Sequence, residues 1–279
     1  MTAPALTTSS HALQALGELE RVIVSAPTCA VAVSGGVDSM TLAVVAGRRR
    51  QDAAMFHAVS PAVPAEATAR VQDYAHREGW TLEILDAGEF TDPEYRANPV
   101  NRCYFCKTNL YGAMATRTSR TLCSGTNLDD LGDYRPGLQA ADEHEVRHPY
   151  VEARIDKAGV RAIARHLQLH DLSELPAAPC LSSRIETGIA IDARDLRAVH
   201  AVETAIRDAL SPRTVRCRVR MQAVVIELDA RTLHTLDTAT REHFAAQARV
   251  QFSTHRPHVE IRFEPYSMGS AFVHGPIGP

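Results

Sequence analysis

Lysine is nearly absent from this chain of 279 residues. It occurs only at Lys107 and Lys157, so arginine supplies almost all of the 30 basic residues. The imbalance reads as the bias of a GC-rich coding sequence rather than as function. Positive charge is not in excess either: 33 acidic residues give a net charge of −3, and the isoelectric point lies near 6.5. A broad basic surface for nucleic acid is therefore not expected. No apolar run approaches the length needed to cross a bilayer, so no membrane role is expected. The opening Met1–Thr8 has no basic region followed by an apolar one, which points to a cytoplasmic protein rather than an exported one. Internal repeats and low-complexity stretches are lacking. Six cysteines without an export signal argue for thiols or a metal site, not disulfides.

Hydrophobic residues make up 45% of the chain, enough for one large or two modest domains. The run Cys29–Val33 reads as a buried parallel strand, and Met40–Ala46 continues as a helix. Between them stands Ser34-Gly35-Gly36-Val37-Asp38-Ser39. Two glycines let a phosphate approach the backbone, and the helix N-terminus offers N–H groups and a positive dipole end. Ser34 and Ser39 add hydroxyl donors, and Asp38 suits a magnesium ion bridging phosphates. No Gly-Lys-[Ser/Thr] closes the turn, which excludes a Walker A loop. The turn resembles instead the PP-loop of enzymes that split ATP into AMP and pyrophosphate. That resemblance implies ATP and Mg2+ as its ligands.

Strands are expected at 29–33, 53–60, 81–85 and 120–125. Helices are expected at 38–49, 66–79, 104–116 and 157–167, with a polar loop over 88–101. This alternation predicts an α/β fold, a doubly wound, Rossmann-like parallel sheet. Ligands on such sheets bind beyond the carboxyl ends of the strands, where Ser34–Ser39, Ser60 and Gly125–Asp130 would open. Pro176-Ala-Ala-Pro179 interrupts helix formation and leads into an ordered loop, Cys180–Arg184. A helix at 192–210, strands at 214–219 and 223–228, a helix at 231–248 and a strand at 258–263 then predict a smaller α+β domain. The division expected is 1–188 for the ATP-binding parallel-sheet domain, and 189–279 for the small α+β domain.

Cys29 and Cys123 fall in strands, and Cys217 alternates with arginines, so these three read as packing residues. Cys103, Cys106 and Cys180 remain. Cys103 and Cys106 form a CxxC at a loop–helix junction, and no second CxxC follows. Three thiolates with one open position suit a reactive iron–sulfur cluster better than a closed structural zinc site. A reduced CxxC without metal, or zinc completed by a histidine, stays open on spacing alone. Arg184, four residues after Cys180, suits either lowering a thiol pKa, holding a substrate phosphate, or a surface salt bridge. Asn127, Asp129 and Asp130 read first as helix caps and second as ribose or magnesium groups. Asp133 and Arg135 suit a pair within one turn. Arg216, Arg218 and Arg220 share a strand face, more consistent with a solvated face than with a phosphate clamp.

Taken together these motifs resemble the LarE family of ATP-dependent sulfur transferases, PP-loop proteins of nickel-pincer nucleotide biosynthesis. The matching segments are Ala32–Ser39, Val59–Pro61, Asn101–Thr108, Gly125–Gly137, Glu152-Ala153 and Pro176–Arg184. The resemblance implies adenylation of a small-molecule carboxylate, release of pyrophosphate, and sulfur insertion. It implies catalytic roles for Asp38, Cys180 and Arg184. Nucleotide contacts would come from Ser34, Gly35, Gly36, Val37, Asp38, Ser39, Ser60, Gly125, Thr126, Asn127 and Asp130. In some members the cysteine matching Cys180 gives up its own sulfur and becomes dehydroalanine. In others three cysteines bind a [4Fe–4S] cluster carrying a transferable sulfide, and Cys103, Cys106 and Cys180 imply that group. A sulfur donor protein or free sulfide as recharging partner, and a homo-oligomer, are implied too.

The second domain departs from the family. An Arg-His-His-Gly-Asp-like run is common between its paired strands, where this chain has Val219-Arg-Met-Gln-Ala-Val224. The acceptor is therefore open, and a purine or specialised metabolite is an alternative. A tRNA thiolase, an ammonia-dependent amidating synthetase and a non-catalytic nucleotide sensor are the rivals.

Overall fold

Strand β1, Ala30–Ala32, is buried on both faces, which is why its sequence is apolar without alternation. The computed structural model describes residues 4–132 and 135–272, with side chains from His11 onward. The chain divides into two compact units. The first is drawn from Met1–Ser60, Ala65–Glu89 and Cys103–Ala178, and the second from Pro61–Pro64, Phe90–Arg102 and Pro179–Pro279.

In the first unit β1 is flanked by β2 (Ala54–Ala58), β3 (Thr81–Leu85) and β4 (Leu122–Cys123), all parallel, in the order β3-β2-β1-β4. Cys29, Val31 and Val33 join a core with Leu19, Met40, Val44, Val71 and Ile163. Ala30 and Ala32 point the other way, to Phe56, Tyr111, Met114 and Ala141. Helices therefore cover both faces, as a doubly wound α/β sheet requires. β2 and β3 step away from β1 on one side while β4 lies on the other, so the topological switch point falls between β1 and β4.

The helix Val37–Arg49 follows β1 and buries Val37, Met40, Leu42 and Val44. Each such side chain contributes about 1.5–3 kcal/mol on burial. Leu42→Ala, at a fully buried site, would cost about 2–5 kcal/mol. Asp38 in the first turn and Arg48 and Arg49 in the last complement the helix dipole. The sequence predicts no helix before β1, yet Pro4–Ser25 is one, anchored through Leu16, Leu19 and Ile23. The expected loop at 88–101 contains a helical turn, Pro93–Arg96, capped by Asp92. No helix among the described residues is long and apolar enough to cross a membrane.

The second unit holds β5 (Val215–Val219), β6 (Ala223–Leu228) and β7 (Glu260–Pro265), in that order. β5 and β6 are antiparallel, and β6 and β7 are parallel. A single helix at 231–248 is expected from sequence, but two form, Ala230–Thr235 and Thr238–Phe252. Leu236 is extended and the Asp237 carboxylate caps the second helix at Thr240 N, 2.7 Å away, which breaks the run. Residues 179–188 belong with this unit rather than the first. Glu186 N donates to Val219 O at 2.9 Å, and Gly188 N donates to Asn98 O at 3.0 Å.

Candidate active site

Ser34 leaves β1 at the switch point and opens a turn that closes on itself. Its N–H donates to Ser39 Oγ at 3.0 Å, the two hydroxyls lie 3.0 Å apart, and Ser39 Oγ donates to Gly36 O at 3.2 Å. Gly35 has φ +82°, and a Cβ there would sit 2.8 Å from Ala67 O. Only glycine fits such a left-handed, crowded position. Arg70 Nη1 donates to Gly35 O at 2.8 Å and holds the turn from the next helix. Gly36 is the N-cap of Val37–Arg49, so the first N–H groups of that helix open beside the turn.

β4 delivers Gly125 against this turn: a Cβ on Gly125 would meet Ser39 N at 2.7 Å. Asn127 follows, and its Nδ2 donates to Asp38 Oδ1 at 3.2 Å. The other Asp38 oxygen is paired with Lys157 Nζ. Tyr150, buried, donates its hydroxyl to Asp38 O at 2.9 Å, and burial pushes that phenol well above its ordinary pKa. Asp130 accepts from Asn127 N at 3.0 Å, closing a capping box, and pairs with Arg135 at 2.9 Å. Asp129 accepts from Lys157 N at 3.3 Å. Ser60 lies just beyond β2, half-buried, and Asp133 lies outside the described residues. The first unit thus gathers Ser34–Ser39, Gly125, Asn127 and Asp130, with Thr126 adjoining them. Asp38 offers one carboxylate beside a phosphate-sized turn, a donor set that fits Mg2+ shared with phosphate oxygens.

Cys180 belongs to the second unit, where it is exposed and the next five residues, Leu181–Ile185, are buried. Leu181 N donates to Ala62 O at 2.9 Å, and Tyr95 Oη lies 2.6 Å from Ser182 Oγ. Arg184, only 3% exposed, forks onto Glu203 at 2.9 and 3.0 Å. Its Nη1 donates to Pro179 O at 2.7 Å, Cys180 O at 3.2 Å and Ser183 Oγ at 2.9 Å. The guanidinium is thus committed to the protein, and its pair with Glu203 is buried rather than a surface bridge.

The six cysteines, all thiols, sort by exposure. Cys29, Cys123 and Cys217 are buried, and Cys103, Cys106 and Cys180 are accessible or partly so. Burial pushes the Cys217 thiol well up, and the Cys29 neighbour together with burial does the same to Cys123. Cys103 and Cys106 stand on the first turns of the helix Arg102–Ala115. They lie in the first unit and Cys180 in the second. Among the described residues no three His, Cys, Asp or Glu side chains group where they could hold a metal.

No family model matches the chain. A protein of Lactiplantibacillus plantarum, pyridinium-3,5-bisthiocarboxylic acid mononucleotide synthase, is 29% identical over 230 residues, 80% of this chain and 79% of its own. An uncharacterized protein of Methanocaldococcus jannaschii is 25% identical over 203 residues, 71% of this chain and 77% of its own. Another uncharacterized protein, from Synechocystis sp., is 39% identical over 220 residues, 77% of this chain and 79% of its own. The chain belongs to the Synechocystis protein's family. The likeness to the synthase supports the LarE-type resemblance read from the motifs.

In the second unit the three arginines expected on a solvated strand face are not solvated alike. Arg218 is 4% exposed and donates to Glu227 Oε2 at 3.1 Å and to Ser183 O at 2.8 Å. Arg220 shares Glu227 at 3.0 Å, and Arg216 stacks 5.9 Å from the Tyr266 ring centre. The cause is on the neighbouring strand: β6 places Glu227 opposite Arg216 on that same face and supplies a buried counter-charge. Lys157, Tyr150 and Arg70 were not singled out from sequence. The one available signal for Lys157 was lysine's scarcity in an arginine-rich chain.

Proposed function

We propose that this LarE-type protein is an ATP-dependent sulfur-transferring synthase that adenylates a small-molecule carboxylate and replaces a carboxylate oxygen with sulfur. The observation that carries the reading is the preformed glycine turn at the switch point, with Asp38 held between Lys157 and Asn127. The synthase relative is named for a bisthiocarboxylic mononucleotide, which supports a mononucleotide carboxylate as acceptor.

A carboxylate resists a sulfur nucleophile because its oxygen is a poor leaving group. Attack of the carboxylate on the α-phosphorus of ATP forms an acyl adenylate and expels pyrophosphate. The Ser34–Ser39 turn and the helix N-terminus behind it stabilise the charge that develops on that leaving group. Mg2+ on Asp38 would add Lewis-acid stabilisation of the same oxygens. A thiolate at Cys180 then attacks the acyl carbon and releases AMP, forming an acyl thioester. Loss of the Cys180 Cα proton with cleavage of its Cβ–S bond would free the thiocarboxylate and leave dehydroalanine. In this reading Arg184 and Glu203 fix the loop that presents Cys180.

Sulfide on a cluster bound by Cys103, Cys106 and Cys180 is the second sulfur source. It is favoured by one observation, that these three are the accessible cysteines while the other three are buried. No step here runs through it.

The test supplies ATP, Mg2+ and a pyridinium dicarboxylate mononucleotide to the protein and follows AMP, pyrophosphate and thiocarboxylate. All three should appear with wild type, and none with Asp38→Asn. AMP and pyrophosphate without sulfur incorporation, using ammonia instead, would replace the reading with an amidating synthetase.

A further inference from the structure

Arg147 lies alongside β4 as an added parallel bridge: it pairs with Cys123, and Ser124 N donates to Arg147 O at 3.0 Å. This register carries His148 to the carboxyl end of the sheet, beside Ser124. Ser124 is 6% exposed. Its Oγ lies 2.8 Å from His148 Nδ1 and 3.0 Å from Thr126 Oγ1. Thr126 in turn follows Gly125, whose backbone lies against Ser39. Imidazole, serine and threonine therefore form one hydrogen-bonded chain ending beside the phosphate turn. The ATP reading places Thr126 at the nucleotide but assigns Ser124 and His148 no role.

A chain of this kind has a direction. Each hydroxyl donates one hydrogen, and neutral imidazole carries its proton on either nitrogen. With Nδ1 bare, Ser124 donates to it, Thr126 donates to Ser124, and the threonine offers its neighbours only lone pairs. With Nδ1–H present, Ser124 accepts from the imidazole and donates to Thr126. The Thr126 hydrogen is then free to donate to an anion. A doubly protonated imidazole permits only the second direction.

We propose that His148, acting through Ser124, aims the Thr126 hydroxyl at the nucleotide phosphates, so that protonation of the imidazole tightens ATP binding. The proposal rests on the ATP reading and deepens it. His148 is thus a positioning residue: it acts through Thr126. The charged groups facing it are Glu152 on its own short helix, Lys107 on Arg102–Ala115 and Asp130 on the turn Leu128–Leu131. Glu152 is tied to Arg147, and Asp130 to Arg135 and Asn127 N. Burial holds the free imidazole below its ordinary pKa, so the apo protein favours the neutral form near pH 7.

The experiment measures ATP affinity by calorimetry from about pH 8 to about pH 5.5, across the window in which histidine titrates. Wild type is compared with His148→Asn, which keeps a polar group near the Nδ1 position but cannot titrate, and with Ser124→Ala, which cuts the chain. Relative to His148→Asn, wild type should gain about tenfold in affinity as the pH falls, the value of one charge-assisted hydrogen bond. Ser124→Ala should follow the His148→Asn profile. A Ser124→Ala protein that keeps the wild-type profile would show charge acting through space and overturn the relay. So would a wild type whose profile matches His148→Asn. A wild type without ATP affinity at any pH would overturn the ATP reading itself. The reciprocal measurement needs no variant. By linkage, ATP should raise the His148 pKa by about one unit, read from the imidazole resonances, and an unmoved pKa overturns the proposal.

Discussion

Lys157 Nζ grips the carboxylate of Asp38 although 119 residues separate them in the chain. Asn127 holds the other oxygen, so the acidic group of the turn is oriented before any ligand arrives. A cation at this carboxylate is also where magnesium would be expected to bind. Entry of Mg2+ with ATP would transfer Asp38 to the metal and leave the lysine facing the phosphates.

Lys157→Ala should therefore cut pyrophosphate release about a hundredfold, the usual loss on removing one charge-stabilising group, with a smaller change in ATP affinity. As a mere ion pair, roughly a quarter to a third exposed on each side, it would matter for stability by less than about 1 kcal/mol. A variant with normal turnover and a slightly lower melting temperature would assign Lys157 to that lesser role.

Arg184 and Glu203 pose the opposite case, a pair taken out of water almost completely. Glu203 is 1% exposed and also accepts from Cys217 N at 2.9 Å, so one carboxylate ties the Cys180 loop to β5. Removing either partner leaves a buried charge, and Glu203→Gln or Arg184→Met should each cost about 3–5 kcal/mol. The loop effect is separable: Cys180 should change its alkylation rate in these variants while Cys103 does not. Denaturant unfolding and timed labelling read the two consequences, and unchanged Cys180 labelling would remove the positioning role.

Thiol exposure makes a sharper forecast. In the native protein a thiol reagent should modify Cys103, Cys106 and Cys180 and spare Cys29, Cys123 and Cys217 until the chain unfolds. Anaerobic purification with iron and sulfide analysis then separates the two sulfur sources. An iron-free protein whose Cys180 loses the elements of hydrogen sulfide during turnover supports sacrifice of that cysteine. Iron that disappears in Cys103→Ser and Cys106→Ser, along with sulfur transfer, supports the cluster.

The β-α-β alternation and the glycine turn were legible because both are local: period, spacing and turn chemistry lie within a few residues. The packing role of three of the cysteines was legible in the same way, since Cys29, Cys123 and Cys217 are buried. Lys157 was illegible because its partner lies far along the chain and only the sheet brings Ile155–Lys157 to Asn127 and Asp38. Leu128 N donating to Ile155 O at 3.1 Å is the joint that does so. The helix Pro4–Ser25 carried a signal, Ala12, Leu16, Leu19 and Ile23 at helical spacing, though its polar face hides it. Arg218 looked solvated because alternation shows which residues share a face, not that Glu227 waits across it. Nor does local pattern show that Asn98, left-handed at φ 54°, reaches Glu186 O at 2.8 Å and draws residues 90–102 into the second unit.

His57 sets an acid limit on the fold next to the site. It is 1% exposed, with Nδ1 2.8 Å from Val33 O and Nε2 2.9 Å from Thr68 Oγ1. Since a carbonyl only accepts, Nδ1 carries the hydrogen and Thr68 donates to Nε2. Burial depresses the imidazole pKa below the unfolded value of about 6.5. Above about pH 6.5 both states are neutral and the contribution is complete. As the pH falls below that, the unfolded chain takes up the proton first, so stability drops until the folded pKa is reached. The slope is at most about 1.4 kcal/mol per pH unit for this group. Val33 immediately precedes Ser34, so the phosphate turn should loosen with it. Denaturant midpoints between about pH 7 and about pH 5 should therefore fall more steeply for wild type than for His57→Asn, which keeps a donor to Val33 without a titrating ring. Equal slopes in the two proteins would mean that His57 does not titrate on unfolding and that the acid limit lies elsewhere.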